Sequence, residues 1–152
     1  MRAMGWVVLL LLAAGGARAQ SNAEGLALCN EIGSAVRMLV KYTNTECTYG
    51  ANQDGGLDLI LVAVEPVFSV KASRDAWLVV AVGATAQATR SSTAKTGKLI
   101  VSDRTMIAQA RGFALPTATA RAIQTRIKAG ELDLAGAVVE IDAAMVAYTP
   151  AR

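Results

Sequence analysis

The first nineteen residues decide which part of this chain is free to fold. Met1-Arg-Ala-Met carries one positive charge, Trp6 to Ala14 is apolar, and Ala17-Arg18-Ala19 ends in a small-x-small pattern before Gln20. That order is the signature of a secretory signal peptide, residues 1–19, cut after Ala19. The apolar stretch falls far short of the ~20 residues that span a bilayer, so no transmembrane anchor is expected in the mature chain. No cysteine follows it closely and no Arg-Arg pair precedes it, which argues against lipid anchoring and against a twin-arginine route. Residues 20–152 are then expected to form a single exported domain, periplasmic or secreted, because domains commonly run about 100–150 residues.

An oxidising compartment gives meaning to the two cysteines, Cys29 and Cys47. Two thiols allow one intrachain pairing, and neither a redox C-x-x-C nor a histidine-assisted metal site is available to them. A structural disulfide is the expectation. Closing a loop between these positions contributes roughly 3 kcal/mol through the unfolded chain.

Charge is unevenly distributed. The chain from Gln20 onward has thirteen basic and twelve acidic residues, close to balance. Residues 71–128 nevertheless carry ten basic groups against Asp75 and Asp103, whereas residues 20–70 and 129–152 are both net acidic. Two readings stand: a basic surface for an anionic partner, or charges that cancel where acidic segments pack beside basic ones.

Local patterns suggest the elements. Ser21-Asn-Ala-Glu24 has the form of a capping box, and Leu26, Cys29, Ile32, Val36 and Leu39/Val40 follow at helical spacing, so a helix is expected over about 22–41. Thr43 to Gly56 is polar and glycine-rich and reads as a loop containing Cys47. Leu57 to Glu65 is a nearly continuous apolar strand stopped by Pro66, with 67–70 continuing past a bulge. Residues 76–90 and 98–111 alternate around a turn at 91–97 and predict one long β-hairpin. A helix over 74–90, capped by Ser73, is the alternative. Pro116 opens a second helix that runs to Ala129 and closes at Gly130, with Ala120, Ile123 and Ile127 as its apolar stripe. Val139 to Ala147 alternates as a last strand with one wet face. The expected class is α+β: an N-terminal helix, a curved antiparallel sheet with a long hairpin, and a second helix before the last strand.

Motifs that resemble chemistry are weak. Ser92-Thr-Ala-Lys95 and Lys95-Thr-Gly97 match marks of serine penicillin-recognising enzymes, but they share one lysine where that chemistry needs two. Asn52-Gln-Asp54-Gly55 resembles the middle of a calcium loop, yet Gly50 and Leu61 fall where end ligands belong. Glu140 and Asp142, one strand repeat apart, would stand roughly 7 Å from each other, within range for an inverting carboxylate pair. Acids so placed are far more often solubilising. The chain has no histidine, which removes the commonest general base and most zinc sites. Neither a cofactor nor a metal site is indicated, and aromatic residues are too few for a nucleic-acid stacking platform.

These observations favour an exported, non-enzymatic accessory or binding protein whose partner is another exported protein or an anionic envelope component. A small envelope hydrolase using Ser-Lys or carboxylate chemistry is the alternative. The candidate binding residues are Arg104, Arg111, Arg121 and Lys128. Arg121 and Lys128 would share one helix stripe, with the other two on the preceding strand. Oligomeric state is not legible.

Overall fold

Leu57 to Ala63, the apolar run, becomes the second strand of a five-stranded sheet in the computed structural model. The structure describes the backbone of residues 4–149 and the side chains of residues 21–149. The elements in chain order are α1 (Met4–Leu39), β1 (Thr45–Ala51), β2 (Leu57–Ala63), a 3-10 turn at Val67–Ser69, α2 (Lys71–Ser91) and β3 (Thr96–Asp103). There follow α3 (Arg104–Ala108), β4 (Gly112–Pro116), α4 (Thr117–Lys128), α5 (Leu134–Ala144) and β5 (Val146–Tyr148). The strands lie side by side in chain order, and the sheet is open, with β1 and β5 at its edges. All neighbours are antiparallel except β2 and β3, which run parallel because α2 carries the chain back across the sheet.

Helices α1, α2, α4 and α5 form a layer on one face. Their buried residues join those of the sheet in one core: Leu28, Ile32 and Val36 from α1, Trp77, Leu78 and Val82 from α2, Ile123 from α4 and Ile141 from α5, against Leu59, Leu61, Leu99, Val101 and Leu115. Trp77 is fully buried, and its indole N–H donates to Thr45 Oγ1 at 3.0 Å, a bond that ties α2 to β1. The disulfide Cys29–Cys47 joins α1 to the same strand. Gly25 lets α1 approach that strand closely, since a Cβ there would collide with the Tyr49 ring.

The α+β class, the N-terminal helix and the helix before the last strand match expectation. The signal segment's side chains lie outside the described residues. Its backbone from Met4 is continuous with α1, so Ser21 sits within the helix and does not cap it. The Ala- and Leu-rich sequence upstream favours helix, which explains the continuity. No helix among the described residues is long and apolar enough to cross a membrane.

Several local expectations are corrected. The long hairpin does not form: residues 71–91 are helix α2, close to the alternative reading, though its N-cap is Val70 and not Ser73. Its buried residues, Trp77, Leu78, Ala81, Val82, Thr85, Ala86, Ala88 and Thr89, recur three and four apart, and the small ones allow close contact with neighbouring helices. The other arm, 98–111, splits into β3, α3 and a turn, because Asp103 accepts from the Met106 N–H and caps α3.

The third correction concerns 43–56. Cys47 lies on β1, and only residues 52–56 turn, with Asn52 Oδ1 accepting from the N–H groups of Asp54 and Gly56. This is the calcium-like stretch, folded as a side-chain-closed turn with Gly55 at φ +78°. Residues 67–70 likewise form a 3-10 turn and no strand. Finally, 139–144 belongs to helix α5, capped by Asp133 accepting from the Gly136 N–H. Only Val146–Tyr148 is strand. The buried pair Ala137 and Ile141 is spaced for a helix and outweighs the alternation.

Candidate functional site on the open sheet face

Successive side chains of a strand point to opposite faces. In β2, Leu57, Leu59, Leu61 and Ala63 face the helices, so Asp58, Ile60 and Val62 face the other way. The register carries this second face across all five strands. Thr48, Ile60, Ile100, Ala114 and Val146 lie in one row. Glu46, Val62 and Ser102 begin a parallel row that ends with Gly112 and Tyr148. The middle of this face is apolar, although an antiparallel sheet covered by helices on one side ordinarily presents polar residues on the other.

Among the described residues, none of the four long helices covers that face. It holds a trough of about 520 Å³, lined by Thr48, Ile60, Val62, Ile100, Ser102 and Tyr148, with α3 and the turn after it forming one wall through Arg104, Ile107, Ala110 and Arg111. Its volume lies within the ~300–1,000 Å³ common for small-molecule sites. Asp103 sets this wall in place. It is buried, and its two carboxylate oxygens accept from the Met106 and Phe68 N–H groups at 2.9 and 3.1 Å.

Charge is confined to the rim. Arg104 reaches over β2 to Glu46 at 2.9 Å, and both side chains are more than half exposed, so the pair contributes about 1 kcal/mol at most. Arg111 makes no ion pair among the described residues. It also borders a smaller hollow of about 360 Å³ at the end of the sheet, beside Phe68, Arg74, Asp103 and Phe113. There Phe68 stacks on Phe113 with ring centres 5.9 Å apart and meets Trp77 edge-on at 5.8 Å.

Behind that hollow, Asp75 accepts from Lys71 and Arg74, and these two bonds hold its carboxyl below the ordinary carboxylate range. Arg74, bonded to Asp75 and to Asp142, is held above its ordinary value, chiefly by the Asp75 bond.

The four basic residues expected to form one face fall into two pairs. Arg104 and Arg111 come together on the trough wall. Arg121 and Lys128 lie on α4, in the helix layer behind the sheet. Lys128 donates to Gln87 at 3.0 Å, and the Arg121 carbonyl accepts from Arg90 at 3.2 Å. Sequence reasoning missed Ile60, Val62, Ile100, Ile107 and Tyr148. Their signal was apolar residues on both phases of β2 and β3, a pattern that asks for cover on both faces.

The residues that resembled catalytic chemistry are otherwise engaged. Ser92 Oγ accepts from the Ala94 N–H, and Lys95 donates to the Asp54 carbonyl. Glu140 and Asp142, two apart on a helix, diverge to Arg126 and Arg74 respectively. Ser102, on the trough floor, donates to the Arg111 carbonyl at 2.9 Å and is buried. Among the described residues no three His, Cys, Asp or Glu side chains gather as a metal would require. Comparison of the chain with protein-family models, with curated proteins and with solved structures gives no match.

Proposed function

We propose that this chain is an exported, non-enzymatic binding protein, periplasmic or secreted, that holds its ligand on the open face of the sheet. The observation that carries this reading is the trough of about 520 Å³ on the sheet face away from the helix layer, floored by half-buried Ile60 with Val62 and Ile100, 9% and 4% exposed, between charged rims. Apolar surface gathered in a concavity costs free energy in water and is ordinarily retained for binding. The signal-like first nineteen residues and the disulfide support export. Engagement of Ser92, Lys95, Glu140 and Asp142 elsewhere weighs against the hydrolase alternative.

A neutral apolar dye, N-phenyl-1-naphthylamine, tests the reading. The parent should bind it saturably at one site, and Ile60→Glu, which sets a charge on the half-buried floor, should lose that binding while keeping its far-ultraviolet circular dichroism. The double reversal Arg121→Glu/Lys128→Glu, on the other layer, should bind as the parent does. Loss of binding in the reversal and not in Ile60→Glu would move the site to α4.

A further inference from the structure

The trough's shape and charge together specify an occupant, and we infer that it is a single-chain amphiphile with a monoanionic head, an alkyl carboxylate. This rests on the open sheet face being the binding surface. The row Glu46–Val62–Ser102–Gly112–Tyr148, all of it in the trough lining, crosses four inter-strand gaps, about 19 Å at ~4.8 Å each. The row beside it is one strand repeat away, roughly 7 Å. Two such rows make a strip that is long, narrow and apolar along its middle. An extended alkyl chain fits that outline, whereas a compact polar solute leaves the floor wet.

The head is specified by the wall. Arg104 and Arg111 are cationic and Glu46 is anionic, so the charged residues of the lining sum to one positive charge. Arg104 is already turned to Glu46, and Arg111 is the guanidinium without an ion pair among the described residues. A planar guanidinium donates two parallel bonds to a carboxylate. A phosphate monoester brings about −1.5 to −2 charges at neutral pH, more than the wall balances, and would face Glu46 as well. A cationic head has only Glu46 to meet, and Arg104 occupies it.

Displacement of N-phenyl-1-naphthylamine from the purified protein separates this inference from the reading beneath it. Dodecanoate should displace the dye, dodecyl phosphate should do so more weakly, and dodecyltrimethylammonium should fail. Arg111→Gln should weaken dodecanoate roughly tenfold, the usual scale for a lost charge-assisted bond, while Arg121→Gln, on the helix layer, should leave both dodecanoate and the dye as in the parent. Added salt should weaken dodecanoate in the parent more than in Arg111→Gln. If the dye binds but dodecanoate and dodecyltrimethylammonium compete equally, or Arg111→Gln leaves dodecanoate unchanged, the anionic head is refuted and the binding face survives. If the dye does not bind saturably, both fall. Sedimentation showing a dimer that Ile60→Glu dissociates would make the occupant a second copy and overturn the amphiphile.

Discussion

Reducing the Cys29–Cys47 bridge removes the covalent tie between α1 and β1 without deleting an atom of the core. Its cost can be worked from the chain. The bridge spans 18 positions, and the loop-closure relation gives about 3 kcal/mol for a loop of that length. For a chain of this size the urea dependence of stability is about 1–3 kcal/mol per molar, so the midpoint should fall by roughly 1–3 M. In heat, at a few degrees per kcal/mol, the same loss is on the order of 10 °C. Equilibrium unfolding of the parent, oxidised and fully reduced, measures the bridge alone. Cys29→Ala/Cys47→Ala adds a small packing loss, since Cys29 is 6% exposed. Coincident urea midpoints for oxidised and verified-reduced protein would refute the loop-closure reasoning. Two titratable thiols in native protein would refute the bridge itself.

Thr45→Val keeps the shape of its site but leaves the buried Trp77 N–H without an acceptor, so a loss of about 1–3 kcal/mol is expected in urea unfolding, with Thr45→Ser losing less. Equal losses in the two variants would mean that packing, and not the bond, holds Trp77. Asp75 titrates below its ordinary value when folded because Lys71 and Arg74 donate to it, so the unfolded chain binds the proton more readily. Its stabilisation is therefore present above about pH 4 and is lost as pH falls through the depressed folded value. Asp75→Asn should flatten that acid limb in melts taken across the acid range; parallel parent and variant curves would show that the cluster contributes nothing.

Some of this architecture was legible because local and tertiary demands agreed. Leu28, Ile32 and Val36 bury one stripe of α1, Ala120 and Ile123 bury one of α4, and Gly130 stops α4 with φ +74°. The cysteine count named the disulfide before any geometry was available. Where the patterns misled, two periods coexisted. Val79 and Val80 favour strand, and 84–89 alternates, yet burial against α1 and α4 selected the helical set that includes Trp77, Ala81 and Thr85. In 139–147 the alternation of Glu140 and Asp142 concealed a helix whose start was marked by Asp133.

The candidate site was half legible. Arg104 and Arg111 stood out as charges, but Ile60 and Ile100 read only as strand residues in need of cover. Which face of the sheet receives the helices depends on where α2 crosses from β2 to β3, and that is a property of the topology and not of any local run.

The placement of the disulfide bears on how the molecule keeps to itself. β1 is an edge strand, seven residues long, and its outer backbone groups offer a template on which another chain could build. Peeling such a strand away is the first step of exchange between copies. Here its inward residues are fastened in turn: Thr45 to the Trp77 indole, Cys47 to Cys29, Tyr49 over Gly25. The middle fastening is covalent, so β1 cannot leave its own helix to complete a neighbour's sheet while the bridge is intact. In a reducing environment that protection is gone, and the same strand becomes the place where one molecule can be mistaken for part of another.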